Sequence, residues 1–143
     1  MPNGPKHITT TLQFEVAQRV AAKPSSKTYG ILTLLLQLAY EPKMEFVIPP
    51  GCFFPRPRVD SACVTLRRRE TPFLCGENAR QFERIVKRGF SQRRKMMLKL
   101  LKQDWNADDL KNAYETAGLD EKIRAEAVSI DQFVRMTNVL AAQ

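Results

Sequence analysis

The segment that most restricts the fold of this chain is residues 47–66, VIPPGCFFPRPRVDSACVTL, because four of its residues are proline. Each proline fixes φ near about −65° and lacks a backbone N–H donor, so no β-ladder can run through the middle of the segment. The residues before and after it, 44–48 and 61–66, are apolar and β-branched enough for strands. The sequence therefore predicts two strands joined by a stiff loop that carries Phe53 and Phe54.

These two phenylalanines allow two interpretations. Aromatic side chains are usually buried, so the rings could pack in the core at the end of a strand. A ring held in a stiff loop is also a good stacking surface for a nucleobase, and Arg56 and Arg58 on the same loop could meet phosphates. The residues alone leave both interpretations open.

Composition narrows the class of protein. The 43% hydrophobic content is ordinary for a globular protein, and no apolar run approaches the roughly 18 residues of a membrane span. Cys52, Cys63 and Cys75 show no CxxC spacing, which indicates reduced thiols in a cytoplasmic protein rather than a disulfide framework or a metal site. His7 is the only histidine, so catalysis by a Ser-His or Cys-His pair is discounted.

The positive charge is concentrated in the first part of the chain. Residues before Gln103 carry 19 Lys and Arg against 7 Asp and Glu, whereas the residues from Gln103 onward carry 4 against 8. Residues 80–102 alone hold nine Lys and Arg and a single acid, Glu83. A charge run usually marks a solvated face, but a run of one sign repels itself, and it lies near the Arg67 to Arg69 cluster. This pattern favours a polyanionic partner such as RNA.

Hydrophobic periodicity predicts the order of the elements. We expect a strand over residues 8–12, a helix over 14–22 and a buried helix over 29–39 that Pro42 stops, followed by the two strands around the loop. After a linker over residues 71–78, helices are expected over 79–90, 92–102, 106–117 and 129–141. Ser91 and Asn106 are the expected N-caps of the second and third of these, and Gly118 should end the third.

Several motifs in this chain occur together in one known family. They are LQFEVAQR at residues 12–19, AKP at 22–24, YG at 29–30, FFPRPRVDSA at 53–62, FSQRRK at 90–95 and RAE at 124–126. In sequence and order they resemble the KsgA family of ribosomal RNA adenine dimethyltransferases. The resemblance covers nearly the whole chain, but only the second half of such an enzyme.

This resemblance implies a fold and a function. The implied fold is an α/β remnant, formed by the last strands of a Rossmann-type methyltransferase sheet (residues 1–70), followed by a small all-α domain (residues 79–143) that docks on ribosomal RNA. The implied enzyme is an S-adenosylmethionine-dependent rRNA adenine N6,N6-dimethyltransferase, and its partner is the RNA of the small ribosomal subunit. The cofactor site of such an enzyme would need a glycine-rich turn, and the six glycines here are too far apart to form one. The family's Asn-Leu-Pro-Tyr-type motif is also absent. We therefore expect the cofactor to bind outside this chain and the chain alone to be inactive.

The resemblance also assigns site residues. Phe53 matches the phenylalanine that closes on the flipped target adenine, whereas Phe54 is expected to pack. Arg93, Arg94 and Lys95 match the family's Gln-Arg-Arg-Lys and are expected at a bend between two helices. The full set of residues expected to contact RNA is Arg56, Arg58, Arg84, Lys87, Arg88, Arg93, Arg94, Lys95 and Lys99. No metal site is expected.

Two other functions stay open. The chain could be a non-enzymatic RNA-binding or ribosome-assembly module in which the basic helices are the whole function. A weaker alternative is a helix-turn-helix DNA binder built from residues 79–102. The sequence does not decide the oligomeric state or the origin of the truncation, although an exposed edge of a partial sheet could promote dimerisation.

Overall fold

The computed structural model describes residues 4–142, and within them it contains a three-stranded antiparallel sheet and six α-helices. The strands are β1 (His7–Gln13), β2 (Tyr40–Ile48) and β3 (Ser61–Arg68). The helices are α1 (Phe14–Val20), α2 (Ile31–Gln37), α3 (Gly76–Gly89), α4 (Met97–Leu101), α5 (Ala107–Ala117) and α6 (Ile130–Ala141). The predicted α/β class is therefore confirmed.

The sheet has the order β1-β3-β2, with β3 in the centre. Alternate residues of β3 point to one face, and there Ala62, Val64 and Leu66 are buried. They pack against Ala17 and Val20 of α1 in a small core of their own. β1 and β2 are the two edges of the sheet within residues 4–142. Self-association through one of these edges stays a prediction.

A second and larger core lies among the helices. Its centre includes Phe82 of α3 and Phe133 of α6, whose ring centroids are 6.1 Å apart in an edge-to-face arrangement. The same core takes in Tyr29, Leu34 and Leu38, which precede the sheet loop in sequence. The cluster of buried side chains therefore extends across the boundary expected at residues 71–78, and the division into two domains stays a prediction.

Several hydrogen bonds join the connection between α1 and α2 to the helical part of the chain. The Tyr29 hydroxyl donates to the carbonyl of Val128 at 2.7 Å. The backbone N–H of Ser25 donates to the carbonyl of Glu126 at 2.8 Å. Arg93 Nη2 donates to the carbonyl of Lys27 at 3.2 Å. This connection is thus held against the helices by both backbone and side-chain groups.

The predicted helix ends are correct where local chemistry determines them. Asn106 caps α5, and its side chain accepts from the backbone N–H of Asp109 at 2.8 Å. Gly118 follows α5 with φ of 64°, the left-handed conformation that glycine adopts at low cost. Ser129 caps α6 and forms a capping box with Gln132.

Other expectations for the helices are wrong. Pro42 does not stop α2, which ends at Gln37; it lies in β2 opposite Leu66. An edge strand tolerates proline because the missing N–H can face away from the ladder. The helix itself is not buried all round, since Leu32 is 43% exposed. The next helix, α3, begins at Gly76, inside the expected linker.

The expected helix over residues 92–102 is reduced to α4, which has five residues. The backbone N–H of Met97 donates to the carbonyl of Ile123 at 3.0 Å, so it is not free for an intrahelical bond that would extend α4 toward its N-terminus. Ser91 does not cap α4; its hydroxyl donates to the carbonyl of Arg88 at the end of α3, at 2.7 Å. Arg93, Arg94 and Lys95 therefore lie in an irregular turn. The two full helices expected for a helix-turn-helix over residues 79–102 are not formed.

Candidate nucleic-acid interface

The loop between β2 and β3 has the irregular backbone that its prolines predict. Residues Pro50–Cys52 form a single 3₁₀ turn, and the backbone N–H of Phe53 closes it by donating to the carbonyl of Pro50 at 3.2 Å. The bond between Phe54 and Pro55 is cis. No strand pairing involves residues 49–60, as predicted from the prolines.

The two phenylalanines of the loop have different environments. Phe53 is 37% exposed, whereas Phe54 is 102% exposed, which means that its ring is fully in solvent. The expectation that Phe54 packs is therefore wrong. The backbone at Phe53 is extended, with φ of −117° and ψ of 149°. The two neighbouring rings therefore differ in how much of their surface the protein covers.

The two arginines of the loop have no ion-pair partner among the described residues. Arg56 and Arg58 are exposed, and neither forms an ion pair or side-chain hydrogen bond with any residue from 4 to 142. The nearest acid in sequence, Asp60, forms no ion pair with either arginine, and its backbone carbonyl accepts from the N–H of Phe14 at 2.9 Å. The loop therefore presents an exposed ring and two arginines without an ion-pair partner in the described part of the chain.

The basic side chains of α3 are, in contrast, already engaged. Lys87 pairs with Glu83 at 2.6 Å, and Arg88 contacts both carboxylate oxygens of Asp104, at 2.5 and 3.1 Å. The hydrogen bond from Arg88 holds the pKa of the Asp104 carboxyl below its usual range. The guanidinium of Arg84 lies over the ring of Trp105, 5.5 Å from its centroid. These predicted RNA contacts would compete with bonds inside the chain.

The cations of the turn between α3 and α4 fall into two groups. Arg94, Lys95 and Lys99 are exposed, have no ion-pair partner among residues 4–142, and line one surface cavity of about 320 Å³. Arg93 instead faces the α1–α2 connection, where Nη2 also lies 3.5 Å from the carbonyl of Tyr29. The structure thus brings together three of the predicted RNA-binding residues and separates the fourth from them.

A second cavity, of about 480 Å³, contains cations that the sequence analysis missed. It lies between the α1–α2 connection and the end of α3, with Arg19, Lys27 and Arg93 among its lining residues and Leu32 and Phe90 contributing apolar surface. Arg19 and Lys27 belong to neither the basic run nor the loop motif, so composition and periodicity gave no reason to group them with Arg93. They are grouped by the folded structure alone, in which all three line this cavity.

The connection between β1 and α1 lacks the glycine turn expected of a site for S-adenosylmethionine. The turn that cradles such a cofactor joins a strand to a helix through glycines, whereas β1 passes directly into α1 with Gln13 as the N-cap. Among residues 4–142, no group of three His, Cys, Asp or Glu side chains is placed to hold a metal ion. A search of the same residues found no helix with the length and hydropathy needed to cross a membrane.

Comparison with known proteins decides the family. The family model described as ribosomal RNA adenine dimethylase matches residues 2–142. The chain belongs to this family. The assignment confirms the resemblance found in the sequence motifs, and family members are methyltransferases whose chemistry implies S-adenosylmethionine.

Two family members illustrate the extent of the match. Ribosomal RNA small subunit methyltransferase A of Clostridium acetobutylicum is 38% identical over 134 residues, which are 93% of this chain and 49% of the relative. The protein of the same name from Bacillus pumilus is 41% identical over 142 residues, which are 94% of this chain and 48% of the relative. The chain spans about half the length of the curated relatives it matches, and it aligns with their C-terminal half.

Two solved structures share the fold. The 23S rRNA methyltransferase ErmE superposes with a TM-score of 0.71 at 23% identity, covering 95% of this chain and 55% of that protein. A dimethyladenosine transferase from Plasmodium falciparum gives a TM-score of 0.72 at 20% identity, covering 92% of this chain and 55% of that protein. The arrangement of sheet and helices described above is thus found in both of these larger proteins.

Proposed function

We propose that this chain is the rRNA-docking part of an S-adenosylmethionine-dependent rRNA adenine N6,N6-dimethyltransferase that acts on small-subunit rRNA. The observation that carries the proposal is the family match over residues 2–142, together with relatives named ribosomal RNA small subunit methyltransferase A. The partner is then the small ribosomal subunit. The cofactor binds outside the residues described here.

Phe53 would hold the target base. An adenine inside a helix cannot reach a transferable methyl group, so an enzyme of this type must extrude it and stack it against flat side chains. The half-exposed ring of Phe53, in a loop that prolines stiffen, suits that contact. Stacking of one base on an aromatic ring contributes roughly 1–3 kcal/mol.

The free cations would hold the RNA backbone. Arg94, Lys95 and Lys99 surround one cavity without internal ion pairs, so no bond in the chain must break before they meet phosphates. Arg56 and Arg58 supply charge beside the aromatic loop. Arg84, Lys87 and Arg88 are in the same basic run, and each could contribute only after leaving Trp105, Glu83 or Asp104. We therefore assign the larger part of the affinity for RNA to the cations without internal ion pairs, which are Arg56, Arg58, Arg94, Lys95 and Lys99.

The test combines docking with methyl transfer. The chain is mixed with undermethylated small ribosomal subunits and labelled S-adenosylmethionine, and both retention on the subunits and label in the RNA are measured. We expect retention without label. Retention should fall at least tenfold for the double variant Arg94→Glu, Lys95→Glu, and should change little for Lys111→Glu, an exposed lysine in the acidic last third. Failure to bind the subunits, or equal loss for both variants, would refute docking through this cavity. Label above background would mean that the chain holds a cofactor site of its own.

A non-enzymatic RNA-binding or assembly module is the second candidate, because β1 passes into α1 without a glycine-rich turn. In that case the basic residues are the whole function, and Phe53→Ala should leave binding to the subunits unchanged. In the methyltransferase the same substitution should weaken binding to RNA that presents the unpaired target adenine. Comparing RNA with and without that adenine distinguishes the two candidates.

A further inference from the structure

Exposed apolar surface is concentrated at one end of the sheet. Of the large hydrophobic side chains that are exposed among residues 4–142, all but Leu32 lie within residues 46–59. They are Phe46, Val47, Phe53, Phe54 and Val59. Three of them, Phe53, Phe54 and Val59, lie in the loop between β2 and β3, and exposed apolar residues grouped in this way mark a contact surface more often than scattered single residues do. Phe54 has the most exposed ring of the set and no ring contact with the described residues.

The position of Phe54 is fixed by its neighbours in sequence. Phe53 before it is extended and closes the 3₁₀ turn, and Pro55 after it restricts the backbone. A ring in such a segment loses little conformational freedom on contact with a ligand.

The charge around the ring identifies the chemistry of the ligand. Residues 46–59 contain no acid, and Arg56 and Arg58 in this stretch have no ion-pair partner among residues 4–142. Of the two acids that flank it, Glu45 is already bonded to Lys43 and Thr65, and Asp60 forms no ion pair with either arginine, so two arginines face a single unpaired carboxylate. A second copy of this chain would bring the same two arginines and a net charge of +8 against the loop. An anionic ligand with flat, stackable groups fits better, and single-stranded RNA is such a ligand.

We propose that Phe54 is a second stacking ring, which receives an unpaired nucleobase of the RNA next to the base held by Phe53. Arg56 and Arg58 bind the phosphates that connect the two bases. This role rests on the proposed function, since it requires that the chain binds RNA.

The test uses the 143-residue chain and a hairpin RNA with unpaired adenines in its loop, one of them replaced by the fluorescent analogue 2-aminopurine. For Phe54→Ala we expect about tenfold weaker binding, equivalent to about 1.4 kcal/mol. Phe54→Trp should keep the affinity, and RNA should quench its added fluorescence relative to the unsubstituted chain, in which Trp105 is the only tryptophan. Phe46→Ala is the matched control: an exposed phenylalanine on β2, outside the loop, whose loss should change the affinity less than twofold.

Three results would overturn the proposal. One is unchanged affinity of Phe54→Ala; another is an equal loss for Phe46→Ala. The third is a change that appears only in the sedimentation of the chain with itself, which would assign the ring to a second copy. The double variant Arg94→Glu, Lys95→Glu tests RNA docking independently of Phe54. If the double variant binds RNA as well as the unsubstituted chain, docking through the cavity has failed. If the double variant binds more weakly but Phe54→Ala does not, docking stands and the second stacking ring is refuted.

Discussion

Two buried tyrosines differ in a single hydrogen bond. Tyr29 and Tyr114 are 2% and 3% exposed, and burial raises the pKa of both phenols. The Tyr29 hydroxyl donates to the carbonyl of Val128, whereas the Tyr114 hydroxyl is buried without a partner among the described residues. A buried polar group without a partner carries its full desolvation cost, while a paired one recovers it. Two chemically identical substitutions should therefore differ in effect.

We expect Tyr114→Phe to leave the free energy of unfolding unchanged or to raise it by up to about 1 kcal/mol, because it removes an unsatisfied hydroxyl. Tyr29→Phe should lower it by about 1–3 kcal/mol, because it leaves the Val128 carbonyl unpaired. Urea unfolding of the two variants in parallel measures both values. Equal losses would mean that the Tyr114 hydroxyl does find a partner, such as an ordered water.

Side-chain environments of this kind were only partly predictable from the sequence. The stiffness of the loop followed from its prolines, because each acts on its own backbone. The exposure of Phe54 did not, since it depends on the extended backbone at Phe53 and on which elements lie near the end of the sheet. The same is true of the cavity that joins Arg19, Lys27 and Arg93.

At the scale of elements, Gly118 tests how much the backbone conformation of one residue at the end of α5 contributes to stability. Gly118 has φ of 64°, and a Cβ built there meets no atom within 4 Å. Gly118→Ala should therefore cost about 1–2 kcal/mol, all of it from the left-handed backbone. Gly51→Ala is the matched control, because that glycine also has open space but no positive φ. Its effect on the midpoint of thermal unfolding should be much smaller. A similar effect at both sites would contradict the backbone explanation.

Elements were predicted correctly where their own residues determine them and wrongly where a distant residue does. The cap at Asn106 acts within three residues of its helix and is as expected. The start of α4 is determined instead by the bond between Met97 and Ile123, 26 positions apart, which apolar periodicity cannot register. Pro42 was misassigned for a related reason, since its tolerance depends on β2 being an edge strand.

For the whole molecule, the ion pair between Arg88 and Asp104 connects the basic run to the acidic last third of the chain. The hydrogen bond from Arg88 lowers the pKa of Asp104. Because a lowered pKa means that folding favours the carboxylate, the stabilisation is present above the usual pKa of aspartate, about 3.9, and is lost as the pH falls through the lowered value. At neutral pH the pair is therefore formed, and under the proposed function Arg88 must leave Asp104 before it meets a phosphate.

Removing the ion pair between Arg88 and Asp104 should strengthen RNA binding. In Asp104→Asn the chain loses one negative charge and Arg88 loses its partner, so we expect a two- to fivefold gain in affinity for small-subunit rRNA at low salt. Asp108→Asn removes an equal charge from an exposed residue of α5 that has no ion pair among residues 4–142, and it should gain less than half as much. Binding curves at several salt concentrations should also show a steeper salt dependence for Asp104→Asn, because one more cation then displaces counterions from the RNA. If the two variants behave alike, net charge alone governs binding, and the pairing of individual cations has no influence on which residues meet the RNA.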